Sequence, residues 1–566
     1  MKTTIGTMLA VFALVVLGGE AAPRAQESGD RVRLDGLARE AARQFAEARV
    51  GLNQTRPTTP APPAGEQVNL TVDEATARAL ERNLDLAVER LNPQTFDLQI
   101  ARLEATYRPT AASNFAHRAV VNPPTSQLNG GNVVQNDTTT YNAGLFENLR
   151  WGGGSLQFQF NNNKQVTSNI FANFNPTFNS SFNATLTQPL LRGFLIDGTR
   201  QQLKVTVINR DISELQLQGT LATTVASVRN AYWELVFARE SIDVAQRSLS
   251  LAQNLVEDNR ARVEVGTMAP LDVVQAEAEV ATRQQALTQA ETTAATAELV
   301  LKRLIVNGTD DPMWRASINP IDRPTFNSEP IEVEGAVRRA LDRRTDLAQA
   351  RKTIDSNDLT LRFMRNQTLP GLDLTAAYGT QGLGGTQFIR QGSGLGSSVI
   401  GSIPGGYFDA LRTLSGFNYP TWNVALTLNY PLGGSQADAL YARARVQRNQ
   451  STAQLRALEL QVATEVTNAA LQVESSLKRY EAATAARGLA LTRLNAEQSR
   501  FEVGLSTNFF VVQAQRDLDT AQNSELRALL DYRRALVDYQ RVQEAPAGRA
   551  AGITAIVAAA AAAGAF

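Results

Sequence analysis

The sequence predicts an α+β membrane protein in which very long antiparallel coiled-coil helices are joined to transmembrane β-strands, written as two internal structural repeats. Three observations predict it. A block of sequence recurs in order after roughly 240 to 260 residues. Two stretches of more than sixty residues keep a seven-residue apolar period without an internal proline. Between them lie segments of about ten residues that alternate apolar and polar side chains.

The duplication is read from paired motifs. LTVDEATARALERNLDLA at 70–87 parallels IEVEGAVRRALDRRTDLA at 331–348, an offset of 261, and Pro109 and Pro370 keep it. LTQPL at 186–190 pairs with LNYPL at 428–432, and VRNAYWEL at 228–235 with VTNAALQV at 466–473. RVEVGTMAPLDVVQA beginning at Arg262 pairs with RFEVGLSTNFFVVQA beginning at Arg500. The offset shortens between the prolines and these motifs, so the halves differ mainly in the segments that follow Pro109 and Pro370.

The long helices come from the heptads. Leu221, Val228, Leu235, Ile242, Leu249, Val256 and Val263 are spaced by seven, with Ala231, Ala238, Ala245 and Ala252 three behind each. A strict seven-residue period drifts against 3.6 residues per turn and imposes a left-handed supercoil, and alanine in the seam lets helices approach closely. The second half repeats this from Gln436 to Val503 through Val466, Val473, Tyr480, Leu494 and Phe501, with Arg487 interrupting the seam. Gly266 and Gly504 then mark hairpin tips, because a helix ending in the left-handed region favours glycine. Pro270 suits the first turn of a returning helix. Shorter helices return through Val273, Val280, Leu287 and Leu301, and through Ala514, Ala521, Ala528 and Ala535.

After each proline the period becomes two. TWNVALTLNYP at 421–431 sets Trp422, Val424, Leu426, Leu428 and Tyr430 against Thr421, Asn423, Ala425, Thr427 and Asn429. SFNATLTQP, SLQFQFNNN and GLDLTAAYGT do the same, and aromatic residues near strand ends favour a membrane barrel over a soluble sandwich. Residues 110–190 have room for four strands, at about 110–119, 139–149, 155–163 and 178–188, with a turn at Trp151 to Gly154. The glycine-rich stretch 382–406 reads as long outer loops. One chain supplies too few strands to close a water-filled barrel, and an open edge cannot face lipid, so the chain must oligomerise.

Composition limits the chemistry. The chain has 566 residues with 55 basic and 55 acidic side chains, a balance that excludes the basic face nucleic acid requires. There is no cysteine and His117, in an expected strand, is the only histidine, so thiol, disulfide and multi-histidine metal chemistry are excluded. GxSxG, HExxH and P-loop motifs are absent. No enzyme activity, metal or cofactor is expected. MKTTIGTMLAVFALVVLGGEAAPRAQ reads as a signal peptide, so the chain leaves the cytoplasm. The acidic pair Asp310-Asp311 in the loop joining the halves is expected to be solvated.

The expected organisation is a signal peptide at 1–22, an extension with a Pro-rich linker at 23–67, and a first repeat at 68–306. That repeat holds strands within 110–190 and a helical hairpin at 199–305. A linker at 307–330 leads to a second repeat at 331–545, with strands within 370–432 and a hairpin at 436–544, and an Ala-rich tail at 546–566.

The paired tip motifs, NAYWEL, QPL, YPL and the two helix-exit prolines together resemble the outer-membrane efflux family, the TolC-like channels, over about residues 68–545. The resemblance implies a homotrimer whose α-helical barrel crosses the periplasm and whose β-barrel, completed by trimerisation, lies in outer-membrane lipid of a Gram-negative-type bacterium. It implies two barrel strands per half. It implies that Val265, Gly266, Thr267, Val503, Gly504 and Leu505 meet a periplasmic adaptor (membrane fusion) protein linked to an inner-membrane pump. The chain would be the exit duct of a tripartite efflux or type I secretion system, passive and gated, with the cargo set by the pump. Some family members carry two inward aspartates after the second tip; here those positions are Phe510 and Gln513, while the first half has Asp272 and Gln275. Phe509 or Phe510 from three chains is therefore expected to form an apolar constriction that gates by dewetting, or else to pack between tip helices. Arg262, Glu264, Arg500 and Glu502 flank the tips, as mouth-closing salt bridges or as a charged helix surface. The alternatives are a periplasmic coiled-coil adaptor or scaffold, which leaves the strands unexplained, and a secreted enzyme on a helical scaffold.

Overall fold

Prolines and glycines punctuate the chain, and the elements fall between them. A computed structural model describes residues 67–123, 133–323, 331–392 and 397–546. The expected signal peptide, the N-terminal extension, the Pro-rich linker and the Ala-rich tail lie outside the described residues. The described chain forms two compact units, one of residues 96–209 and 353–452, the other of the remainder.

The helical unit contains the duplicated block. Strand β1 (Gln67–Leu70) precedes helix α1 (Val72–Arg82), and helix α2 (Leu84–Ala105) follows. Thr71 and Glu74 close α1 with a capping box, satisfying two of its free N–H groups. In the second half, α6 (Val333–Arg343) and α7 (Thr345–Gln367) repeat the pair. Ala75 and Ala79 are buried in the first copy, and Ala336 and Ala340 at the same offset in the second. The long helices are α3 (Gly198–Glu264) and α9 (Gln436–Glu502), and they return as α4 (Pro270–Ile305) and α10 (Asn508–Arg541). The expected seam is buried at its centre: Val228, Leu235, Ala231 and Ala238 enter one core with Leu301 and Ile305, and Val466 and Val473 enter another with Val462, Tyr532 and Ala535, while Leu221, Ile242, Leu249, Val263 and Tyr480 are half-buried. Arg487 stands outside the seam and pairs with Glu525 at 2.9 Å.

The junction between halves is more buried than expected. Asp310 is exposed, but Asp311 is not: it accepts from Arg78 and Arg82 at 3.2 and 3.0 Å and caps α5 (Pro312–Arg315). It is buried because two guanidiniums more than two hundred residues away converge on it. Strand β6 (Ser317–Pro320) then pairs in parallel with β1. The Tyr232 hydroxyl, fully buried, donates to the Leu70 carbonyl at 2.9 Å and ties α3 to that pair.

The position after α1 and after α6 is duplicated in place but not in chemistry. Asn83 is buried and donates to the Leu304 carbonyl at the end of α4. Arg344, at the same offset, is buried and donates to the Val542 carbonyl at the end of α10. Arg344 also binds Asp346 through two nitrogens, at 3.0 and 2.7 Å, and Glu465 at 2.7 Å.

The other unit is dominated by one sheet of seven strands: β2 (Thr110–Asn122), β3 (Val134–Asn148), β4 (Ser155–Thr167), β5 (Phe174–Pro189), β7 (Gly371–Gln391), β8 (Ser398–Ile403) and β9 (Pro420–Asn429). Its order is β2-β3-β4-β5-β7, with β8 and β9 both on the far edge of β7. All pairings are antiparallel. The registers align Ala111, Leu145, Phe158, Ala184, Tyr378 and Trp422 as one row across six strands. The adjacent row, on the opposite face, is Ala112, Gly144, Gln159, Asn183, Gly379 and Thr421. One face is thus apolar and aromatic and the other polar, the pattern of a barrel wall. His117 is exposed on the apolar-row face, where its Nδ1 meets Thr139 Oγ1 at 3.0 Å.

The glycine-rich stretch 382–406 is not simply outer loop. Strand β7 runs on to Gln391, β8 follows, and helix α8 (Tyr407–Ser415) packs on the apolar-row face. A Cβ at Gly382 or Gly384 would collide with the backbone of Ala410, so the glycines are there to admit the helix. Tyr407 meets the edge of Tyr141 at 5.4 Å and donates to Asn162 Oδ1 at 3.1 Å.

Candidate functional site

Both hairpin tips use the same backbone device. After α3, Gly266 at φ +79° donates to the Val263 carbonyl at 3.0 Å, and the Thr267 N–H donates to Arg262 at 2.9 Å. After α9, Gly504 at φ +76° donates to Phe501 at 3.1 Å, and Leu505 to Arg500 at 2.8 Å. This pair of bonds is the Schellman motif, which satisfies the last carbonyls of a helix and requires a left-handed residue. No atom lies within 4 Å of a Cβ built at either glycine, so the backbone conformation, not space, demands glycine there.

The motif turns apolar side chains outward. Val265 is 73% exposed, Val503 70% and Leu505 73%. Apolar surface left in water forgoes about 25 cal/mol per Å², and the same exposure recurs at both tips. The tips lie side by side. The Arg262 guanidinium sits 4.3 Å from the Phe501 ring, and Asn508 donates to the Asp272 carbonyl at 3.3 Å. Behind them Leu255, Leu494, Phe501, Val511, Ala514 and Leu518 form a small core. Of the other flanking charges, Arg500 pairs with Glu497 at 3.2 Å, while Glu264 and Glu502 are exposed.

The remaining candidates follow in the first turns of the returning helices. Asp272 is half-buried and Gln275 exposed. Phe509 and Phe510 are both exposed and meet edge to face at 5.5 Å. Gln513 donates to Asp517 at 2.9 Å, and Asp517 also accepts from Arg493 at 2.6 Å.

One site escaped sequence reasoning. Glu279 on α4 and Asp519 on α10 are both buried, with Arg283 bound to each, at 2.8 Å on Glu279. Arg516 caps Glu279 from the other helix, and Ser248 of α3 donates to Asp519 at 2.6 Å. Burial pushes the Glu279 carboxyl up, but hydrogen bonds and charge from Arg516 and Arg283 outweigh it and hold the group below the ordinary carboxylate range. Burial pushes Asp519 above that range, and Ser248 and Arg283 offset only part of it. The cluster joins three helices about three to five turns behind the tips. The four-residue step from Glu279 to Arg283 was a visible local signal; the partners on α10 were not.

Among the described residues no helix is long and apolar enough to cross a membrane, and no group of three or more metal-ligating side chains occurs.

A family profile described as outer membrane efflux protein matches residues 154–306 and 336–542, more than half of the chain and once in each half. No curated protein gives a significant match. Among solved structures, a membrane protein from Pseudomonas aeruginosa is similar with a TM-score of 0.60 at 16% identity, covering 83% of this chain and 93% of its own. The Campylobacter jejuni CmeC outer membrane channel gives 0.58 at 13% identity, covering 86% and 88%. The open state of the Neisseria gonorrhoeae MtrE outer membrane channel gives 0.57 at 18% identity, covering 84% and 89%. At such identities these likenesses concern the fold.

Proposed function

The chain belongs to the outer membrane efflux protein family and is an efflux exit channel of the outer membrane that extends into the periplasm; from that premise we propose that it works as a homotrimer whose paired tips dock a periplasmic adaptor. The two halves, 68–306 and 331–545, act as structural repeats, each giving one tip. The segment 1–22 is the export signal. The adaptor connects the duct to an inner-membrane pump of an efflux or type I secretion system, which supplies the energy; the chain itself carries out no catalysis. A scaffold role is the weaker reading, because it gives a two-faced sheet nothing to do.

The observation that carries this reading is the repeated exposure of apolar side chains, Val265 at one tip and Val503 and Leu505 at the other, on glycine-dependent turns. The chain has no native cysteine, so introduced thiols report alone. Val265→Cys and Leu505→Cys are expected to cross-link in cells to a periplasmic adaptor, identified by mass spectrometry. A correctly localised trimer in which neither position yields an adaptor product would overturn the docking assignment.

The gate is assigned to Phe509 and Phe510, with Asp272, Gln275 and Gln513 beside them. Both rings are exposed in the chain, which favours contact with other copies over packing between its own tip helices. An apolar ring constriction blocks ions by dewetting. Phe510→Ala and Phe510→Asp are therefore expected to raise single-channel conductance in planar bilayers several-fold, the aspartate more. Unchanged conductance in both would end the assignment.

A further inference from the structure

The sheet is larger than two strands per half would make it. Residues 110–189 form four successive antiparallel strands in the same sheet as β7 and β9, while β8, with 6 residues, is too short to span the apolar layer and is not counted as a wall strand. We propose that the β2–β3 hairpin is part of the membrane wall, that the β2 edge of one chain pairs with the β9 edge of the next, and that three chains close an eighteen-stranded barrel. The proposal rests on the trimeric reading above.

Three observations carry it. The first is the register. The row from Ala111 to Trp422 crosses all six strands without a break, and its polar neighbour does the same. A hairpin folded outside the wall or across its mouth would not continue both faces. The second is length. Strand β2 has 13 residues and β3 15, at or above the roughly 9–11 needed to span the apolar layer. The third is the free edges. Among the described residues β2 pairs only with β3, and β9 only with β7. Each leaves a row of N–H and C=O groups that lipid cannot satisfy. The exposed Phe115 on β2, and Trp422, Val424 and Leu426 on β9, put apolar side chains at both edges. Another copy of this chain supplies the complementary edge for each. Parity also fits, because an added hairpin returns the chain to the side from which α3 starts.

Barrel diameter grows about linearly with strand number. Eighteen strands give a lumen roughly 1.5 times as wide as twelve, hence about twice the cross-section. At sixteen to eighteen strands a barrel holds an open aqueous channel. The outer-membrane segment is then not the size filter for cargo, and bulky molecules pass it once admitted at the tips.

Cryo-electron microscopy of the full-length protein in lipid nanodiscs tests this directly. The expected image is a trimer with eighteen wall strands and β2 beside β9 of the neighbouring copy. A trimer with twelve, the β2–β3 hairpin lying off the wall, overturns the proposal while leaving the channel reading intact. A monomer would instead sink the trimeric reading on which it stands. Cysteines at Asn114 and Asn423, both on the polar face, give a second readout. Their chain-to-chain cross-linking by a short bismaleimide is expected. A product from Gln159 and Asn423 instead would make β4 the edge and overturn the assignment.

Discussion

Arg344→Met is expected to cost about 3 kcal/mol of stability. Removing one partner of a buried ion pair typically costs ~3–5 kcal/mol, because the opposite charge stays behind. The Arg344 side chain is fully buried, but Asp346 and Glu465 keep 18% and 23% of their side-chain surface, so the lower end applies. The substitution also strands the Val542 carbonyl at the end of α10. The check is the denaturant midpoint followed by circular dichroism at 222 nm, a wavelength that reports helix. Adding Glu465→Gln to Arg344→Met is expected to recover part of the loss, since one uncompensated charge disappears. A loss below about 0.5 kcal/mol would put the guanidinium in the class of solvent-screened surface pairs.

Arg283→Met is expected to destabilise the region behind the tips by about 2–4 kcal/mol and to make that deficit depend on pH. Glu279 and Asp519 are both buried, and Arg283 is the cation that touches both. Without it, Asp519, already held above the ordinary range, rises further. A carboxyl whose folded pKa lies above its unfolded value binds its proton more tightly when folded, so stability is regained as pH falls through that raised pKa. Glu279 has the opposite sign. Its lowered pKa contributes stability at neutral pH that is lost only as pH falls below the ordinary carboxylate range of about 4.3. The variant's deficit is therefore expected to be greatest at neutral pH and to shrink on mild acidification, before Glu279 titrates. Parallel denaturation curves for both proteins from neutral pH downward check this. A deficit constant with pH would mean that Arg283 does not hold the acidic pair ionised.

Much of the fold was legible because its determinants are local. The heptad of α3 and the glycine after it are read within a few turns, and the helix ends at Glu264 as the glycine requires. The halves were legible because the same residues recur, down to the buried Ala79 and Ala340. The strands were found but cut short: β3 starts at Val134 and β4 runs to Thr167, beyond the apolar alternation. Their outer ends carry Thr138, Lys164 and Gln165, whose pairing comes from neighbouring strands and leaves no apolar period to read. The Gly382–Gly384 stretch looked like loop for the same reason. Its glycines answer to a helix that crosses them, which only tertiary structure reveals. At the candidate site the tips and the phenylalanines were visible as motifs. The Glu279–Arg516 contact spans 237 residues, and no local pattern announces such a pair.

The duplication covers the four main helices of each half and is lopsided in the strands, four from one half and three, one of them the short β8, from the other. In the proposed trimer this sets two different rotational orders in one molecule. The tips recur twice per chain on the same turn, so a ligand arriving there meets six nearly equivalent positions. The wall repeats only three times. A ring of six identical subunits can seat on the former, whereas anything grasping the latter must match a threefold axis.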